Sequence, residues 1–265
     1  MKNLLLKPLN KLLSLLDLRI VNLKNYKITS NLPNSFFLYS KLSNKYKKKV
    51  FNLLEKSKSQ LAQDIFVVAN TTHKKNNFFV EFGATDGITI SNTYLLEKEL
   101  NWKGILIEPA SIWHKDLEKN RKCIIDKRCI YSESGKTMKF LVVKNNKKAE
   151  PGLSSLKKFA NNGDWASNLR INNSSEEIVS TISLNDLLDE YKAPNLIDYM
   201  SIDTEGSEFD IIKNFDFSKR KINIISIEHN YHSKNRKNIY KKLISEGYKR
   251  VFEDLSRFDD WYILN

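Results

Sequence analysis

The chain has 265 residues, 41% of them hydrophobic and 28% charged, proportions ordinary for a globular protein able to bury a core of one large or two small domains. Its formal charge of +13 is concentrated at one end: residues 1–60 hold thirteen Lys and Arg against Asp17 and Glu55, a net +11, and everything after them carries only +2. A diffuse nucleic-acid-binding face on the remainder is therefore not required, and no nucleic acid is expected as partner.

The only cysteines are Cys123 and Cys129. With no CxxC pair and no His at zinc-finger spacing, they read as partly buried core thiols, which fits a reducing cytoplasm. Met1–Leu23 is Leu-rich, but Lys2, Lys7, Lys11, Asp17 and Arg19 interrupt it too often for a span of about 20 apolar residues. It also lacks the apolar core and cleavage site of a signal peptide. Leu5, Leu9, Leu12, Leu13 and Leu16 form an apolar stripe at helical spacing. Such a helix packs on the domain or a second subunit, or lies on anionic membrane at the inner face. We divide the chain into a basic extension, 1–50, and a catalytic domain, 51–265.

Residues 24–50 read as a Lys-rich linker with short helical pieces, and Phe51–Ala69 as a helix. From residue 78 short apolar runs alternate with helical stretches. Strands are predicted at Phe78–Phe82, Gly104–Glu108 and Cys123–Ile125, with helices at Ser91–Leu100 and Ile112–Asn120 between them. A strand at Met138–Val143 is placed opposite Cys129–Ser132 across the Glu133-Ser134-Gly135 turn. Residues 145–176 are polar and aperiodic, the mark of a functional or disordered loop. Beyond it come a helix at Leu184–Tyr191, a strand at Ile197–Ile202, a helix at Glu208–Asn214 and a strand at Ile222–Ile227. The chain closes with a helix at Asn238–Glu246 and runs at Tyr248–Phe252 and Trp261–Leu264. This alternation implies βαβ units, a mostly parallel sheet with helices on both faces, and an antiparallel edge hairpin.

Ligands of such sheets bind beyond the carboxyl ends of the strands, and four predicted ends carry an acid: Glu81, Glu108, Asp203 and Glu228. The first turn, Glu81-Phe82-Gly83-Ala84-Thr85-Asp86-Gly87, has glycines for close ligand approach but is not G-x-G-x-x-G. Carboxylates at Glu81 and Asp86 repel a pyrophosphate and suit the sulfonium and ammonium of S-adenosylmethionine. Glu108, at the end of the second strand, sits where an acid accepts from ribose hydroxyls. Asp203-Thr204-Glu205 lies where reacting groups meet. Methyl transfer to a hydroxyl needs the oxygen nearly deprotonated, by a carboxylate, a neutral His or a carboxylate-held Mg²⁺ or Mn²⁺. Asp203, Glu205 and His229 are the catalytic candidates, and Asp203 with Glu228 the metal ligands. His232 lies beside them; His73 and His114 read as surface residues.

Together these residues resemble the FkbM-type methyltransferase family, within the class I S-adenosylmethionine-dependent methyltransferases. The matching segments are FFVEFGATDGITISNTYLLEKELNWKGILIEP (78–109), TISLNDLL (181–188), IDYMSIDTEGSEFDII (197–212), IISIEHNYH and FDDWYIL, starting from SQLAQD (59–64). The resemblance implies a Rossmann-like seven-stranded fold, S-adenosylmethionine as donor and an oxygen acceptor on a sugar, surface glycan or natural product. It implies that Glu81, Gly83, Thr85, Asp86 and Gly87 hold the methionine part and Glu108 the ribose. Cys129 falls near the adenine, and Asp203 and Glu205 at the reacting end. Thr85 stands where the family often has Asn. A metal-dependent glycosyltransferase acting through Asp203 and Glu205 is the competing reading, and it leaves the Glu81 loop and Glu108 unexplained. A binding module that lost its chemistry, and an RNA methyltransferase, are weaker: the strand-end acids are intact and no aromatic–basic interleaving occurs.

Overall fold

The computed structural model describes residues 32–72, 76–144 and 151–265. The Leu stripe of residues 1–23 and His73 lie outside them. In chain order the strands are β1 (Phe78–Phe82), β2 (Lys103–Ile107), β3 (Ile124–Asp126), β4 (Cys129–Tyr131), β5 (Thr137–Val143), β6 (Ser155–Leu156) and β7 (Ser174–Ser183). They continue with β8 (Leu196–Ile202), β9 (Lys221–Glu228), β10 (Tyr248–Val251) and β11 (Asp259–Leu264).

Seven of them form one sheet in the order β10-β11-β9-β8-β1-β2-β3, with β9, β8, β1, β2 and β3 parallel and β11 antiparallel to both neighbours. This is the expected Rossmann-like, mostly parallel α/β architecture, with its antiparallel edge hairpin. Interior parallel strands are buried on both faces and so read as unbroken apolar runs. Their residues alternate between two cores. Val80, Phe82, Ile105, Ile107, Met200 and Ile202 meet Leu187, Ile211, Ile239 and Leu243 on one face. Phe79, Leu106, Tyr199 and Ile224 meet Phe66, Leu95, Leu96, Leu117 and Trp261 on the other.

The chain runs outward from β1 through β2 to β3, then returns past β1 to build β8 and β9. The direction therefore reverses between β1 and β8, which opens a crevice above their carboxyl ends. Gly83 closes β1 there at φ +74°, and a Cβ on it would lie 2.3 Å from the carbonyl oxygen of Asp203. Only glycine permits that approach.

A second sheet, β4-β7-β5-β6, covers the β3 side of the crevice. It corrects the expected pairing: β4 runs parallel to β7, and β5 is antiparallel to β7 and β6 rather than to β4. It also replaces much of the expected loop at 145–176 with β6, the helix Ser167–Asn172 and the start of β7. The Ser- and Glu-rich β7 has no apolar alternation over its first half, and its Ile178 is 64% exposed.

The helix expected at Phe51–Ala69 is broken. A 3₁₀ turn at Phe51–Lys56 is separated from the helix Gln63–Asn70 because the buried Asp64 carboxylate gathers Ser57 Oγ, Ser59 Oγ and the Lys58 N–H into a turn. Upstream, helices span Leu32–Lys41 and Asn44–Val50. Leu38, Leu42 and Val50 are buried in the same cluster as Phe66 and Trp261. The boundary drawn at residue 50 therefore does not coincide with a break in packing. Among the described residues no helix is long and apolar enough to cross a membrane.

Candidate functional site

A cavity of about 410 Å³ opens above the ends of β1, β2, β8 and β9. Gly83, Thr85, Glu108, Cys129, Asp203, Glu205 and Glu228 all line it, while Glu81, Asp86, Gly87 and His229 do not.

The absences have structural causes. Glu81 shares the parity of Phe79, so its side chain lies under the loop rather than at the strand tip. It accepts from Ser91 Oγ, the Asn92 N–H and Thr93 Oγ1, with Arg121 3.7 Å away. Burial raises its pKa despite the Arg121 charge. Asp86 spends its carboxylate on the Ile88 and Thr89 N–H groups and Thr89 Oγ1. Gly87 packs against Arg121 and Leu117. These three shape the loop from behind, in place of the ligand contact expected of them.

Glu108, just past β2, is buried at the cavity wall. One carboxylate oxygen accepts from the Thr85 N–H and the other from the Ala110 N–H, both at 2.8 Å. These bonds orient it, but burial outweighs them and pushes its pKa up to about 7. The Glu108 backbone carbonyl is held by His114 Nε2 at 2.9 Å, so His114 is structural rather than a bystander at the surface. Cys129 is buried at the same wall, its thiol pushed up to about 12 by burial and by Glu108.

At the other end, Asp203 follows β8, Glu228 ends β9, and Glu205 joins them from the β8 turn. Single oxygens of the three lie within 4.8 Å of one another. Glu205 reaches this position from a left-handed backbone, φ 57°, a strained conformation for a side-chain-bearing residue. Burial raises all three pKa values, and the neighbouring acids add to the effect: Asp259 on Asp203, Asp203 on Glu205, and Asp203 and Glu205 on Glu228. Glu208 stands apart, because its Oε1 accepts from the Thr204 and Gly206 N–H groups and so holds the turn that precedes the helix Glu208–Ile212.

His229 is corrected as a catalytic candidate. Its Nδ1 accepts from the Tyr231 N–H, which leaves Nε2 to donate to the Asp259 carbonyl at 3.1 Å. Both nitrogens are spent, and the ring is 98% buried away from the cavity, since it is only 2% exposed. His232 caps the helix Ser233–Ser245 by accepting from the Asn235 N–H.

Several lining residues carry no sequence signal. Phe140 and Leu156 of the second sheet, Leu169 and the exposed Trp165 wall the cavity opposite the strand ends. Arg170 is fully buried between Asp164 and Glu205, with Asn230 also donating to Glu205 at 3.1 Å. Removing one partner of a buried ion pair leaves an uncompensated charge, at a cost of about 3–5 kcal/mol. Arg170→Met is therefore expected to lower the unfolding free energy from a denaturant titration by an amount in that range, with a matching fall in the midpoint. An unchanged midpoint would show that Arg170 is dispensable to the wall.

A family model described as the methyltransferase FkbM domain matches residues 81–259, more than half of the chain. No curated protein matches it. Among solved structures, methyltransferase FkbM from Methylobacillus flagellatus KT is similar at 14% identity and a TM-score of 0.46, over 88% of this chain and 58% of that one. The chain thus spans little more than half of that protein's length. A fibrillarin/Nop5p complex is similar at 12% identity and TM-score 0.40, over 78% of this chain and 81% of that one. The N-terminal domain of human METTL16 is similar at 12% identity and TM-score 0.37, with 76% and 65% covered.

Proposed function

This chain belongs to the FkbM methyltransferase family, and from that premise we propose that it methylates a hydroxyl of a sugar, surface glycan or natural product, using S-adenosylmethionine. One observation carries the choice of donor. The residues lining the cavity include four carboxylates, Glu108, Asp203, Glu205 and Glu228, and no Lys or Arg among the described residues. A diphosphate meets repulsion there, whereas a sulfonium and an ammonium meet complementary charge. The same observation weighs against a nucleotide sugar binding there in the absence of a divalent cation.

When bound, S-adenosylmethionine supplies an electrophilic methyl group. Glu108, fixed by two backbone N–H groups, is placed to accept from ribose hydroxyls. Gly83 lets the β1 turn pack directly against the Asp203 backbone at the β8 end. Asp203 would take the proton of the acceptor hydroxyl as that hydroxyl's oxygen receives the methyl group from the sulfonium. Phe140, Leu156 and Trp165 wall the reacting groups from bulk water. Mass spectrometry of surface glycans and extractable hydroxylated metabolites, from producing cells with and without the gene, tests this reading. A 14 Da methyl increment that depends on the gene and on S-adenosylmethionine is expected (the mass of CH₂). Identical spectra would count against it.

We also propose that the N-terminal segment rests on an anionic lipid surface. Its net charge of +11 over residues 1–60 supports this, as do the exposed rings of Phe36, Phe37 and Phe51 in the stretch that also exposes Lys41, Lys45 and Lys48. Apolar rings that enter the interface while lysines meet headgroups are the pattern of a peripheral contact. The full chain is expected to co-sediment with phosphatidylserine vesicles at low salt. Binding should weaken steeply as the Debye length shrinks to about 8 Å at physiological ionic strength, and be largely lost in a Lys41→Glu, Lys45→Glu, Lys48→Glu variant. Equal sedimentation with neutral phosphatidylcholine would remove the electrostatic basis.

A further inference from the structure

We propose that Asp203, Glu205 and Glu228 together hold one hard divalent cation, Mg²⁺ or Mn²⁺, at the inner end of the cavity. Three carboxylate oxygens within 4.8 Å of one another match the span of ligands around such an ion. Mg²⁺–oxygen distances near 2.1 Å put trans ligands about 4.2 Å apart, and the longer bonds of larger cations widen this. An acidic cluster alone is common, but this one has an unsatisfied member. Glu228 is 6% exposed and lines the cavity, and its Oε2 is buried with no hydrogen-bond partner. A carboxylate oxygen left in that state is costly unless a cation faces it.

The protein's own charges do not complete the cluster. Among the described residues, the ion pair that reaches it is Arg170 on Glu205, and Arg170 also serves Asp164. Asn230 donates to that same Glu205 oxygen, Oε2. Asp203 and Glu228 thus stay without a cation at short range. The donor set is all oxygen, with no thiolate or imidazole, because His229 is turned away and Cys129 lies with Glu108. Such a set suits hard cations such as Mg²⁺ or Mn²⁺ and lacks the imidazole and thiolate donors usual for zinc and copper. Three protein ligands leave positions open toward the cavity for water or an acceptor hydroxyl.

The chemical role rests on the O-methyl transfer proposed above. A hydroxyl bound beside Asp203 and facing the cation would lose its proton to Asp203 or to water, and its oxygen would attack the methyl carbon as the C–S bond breaks. Binding of the cation does not depend on that reading, and the test separates the two. Mn²⁺ titration of the EDTA-stripped full chain, followed by the loss of the free-Mn²⁺ electron paramagnetic resonance signal, is expected to show one saturable site displaced by Mg²⁺. Glu228→Gln should weaken it at least tenfold. Mg²⁺ should raise the melting temperature of the wild type above its value in EDTA, and the variant should gain nothing from Mg²⁺. Asp203→Asn provides a second variant should Glu228→Gln misfold. Wild-type protein that binds no Mn²⁺ and melts identically in EDTA and Mg²⁺ would overturn the site. S-adenosylhomocysteine binding in parallel would then leave the methyltransferase reading intact, whereas Mn²⁺ binding without it would leave the cation site standing and remove its assigned role.

Discussion

Asp203→Asn is expected to lower turnover by about 10²–10⁴-fold, the contribution typical of a positioned base or its cation, while S-adenosylhomocysteine affinity stays near the wild-type value. The expectation comes from position. Asp203 sits at the end of β8, against the Gly83 turn, at the point where the sheet's connections reverse. It faces Glu205 and Glu228 across less than 4.8 Å. A purely supporting role predicts a different pattern, namely a loss of about 1 kcal/mol in stability with turnover largely kept. Single-turnover kinetics together with a melting curve on one preparation distinguish the two. Because His229 has neither nitrogen free, His229→Gln should change stability more than the chemical step.

Glu108→Ala is expected to weaken S-adenosylhomocysteine binding by roughly tenfold or more, since each hydrogen bond to a charged group contributes about 1.5–3 kcal/mol. The variant also frees the Thr85 and Ala110 N–H groups, which loosens the loop that Glu108 anchors. A pH series isolates the charge. Burial holds the Glu108 pKa up at about 7, against 4.5 for an ordinary glutamate. Ribose hydroxyls bind the ionised form best, so wild-type affinity should rise as pH increases through 7, and Glu108→Gln should lack that part of the slope. For folding the sign is opposite. The folded state keeps a proton that the unfolded chain has released, so the Glu108 contribution to stability declines as pH rises from about 4.5 toward 7. An affinity independent of pH in the wild type would place the ribose elsewhere.

Much of the fold was legible because interior parallel strands are unbroken apolar runs. Phe78–Phe82, Leu196–Ile202 and Lys221–Glu228 announce themselves, and an acid at the end of such a run is conspicuous. What the sequence hides is the direction of each side chain past the strand. Glu81 looks like a strand-end acid, yet it shares a face with Phe79 and is consumed by Ser91, Asn92 and Thr93. Counting parity from Phe79 would have flagged it. His229 follows Glu228 directly and so turns the other way, toward the Asp259 carbonyl. The second sheet was only half legible, with β4 and β5 expected as partners and β7 between them missed, for a different reason. Its β7 draws stability from the long antiparallel ladder with β5 and from few apolar contacts, so its Ser and Glu residues resemble a loop. Arg170 lies 35 residues before Glu205, and only the folded chain brings its guanidinium to that carboxylate.

The account rests on a cationic, phosphate-free donor lying between the β1 turn and Glu108. Isothermal titration of the wild-type chain with S-adenosylhomocysteine, beside UDP- and GDP-sugars, tests that claim most directly. Saturable one-to-one binding of S-adenosylhomocysteine with no heat from the nucleotide sugars is the predicted result, since the cavity offers carboxylates and no Lys or Arg among its described lining residues. Saturable binding of a nucleotide sugar with none of S-adenosylhomocysteine would contradict it.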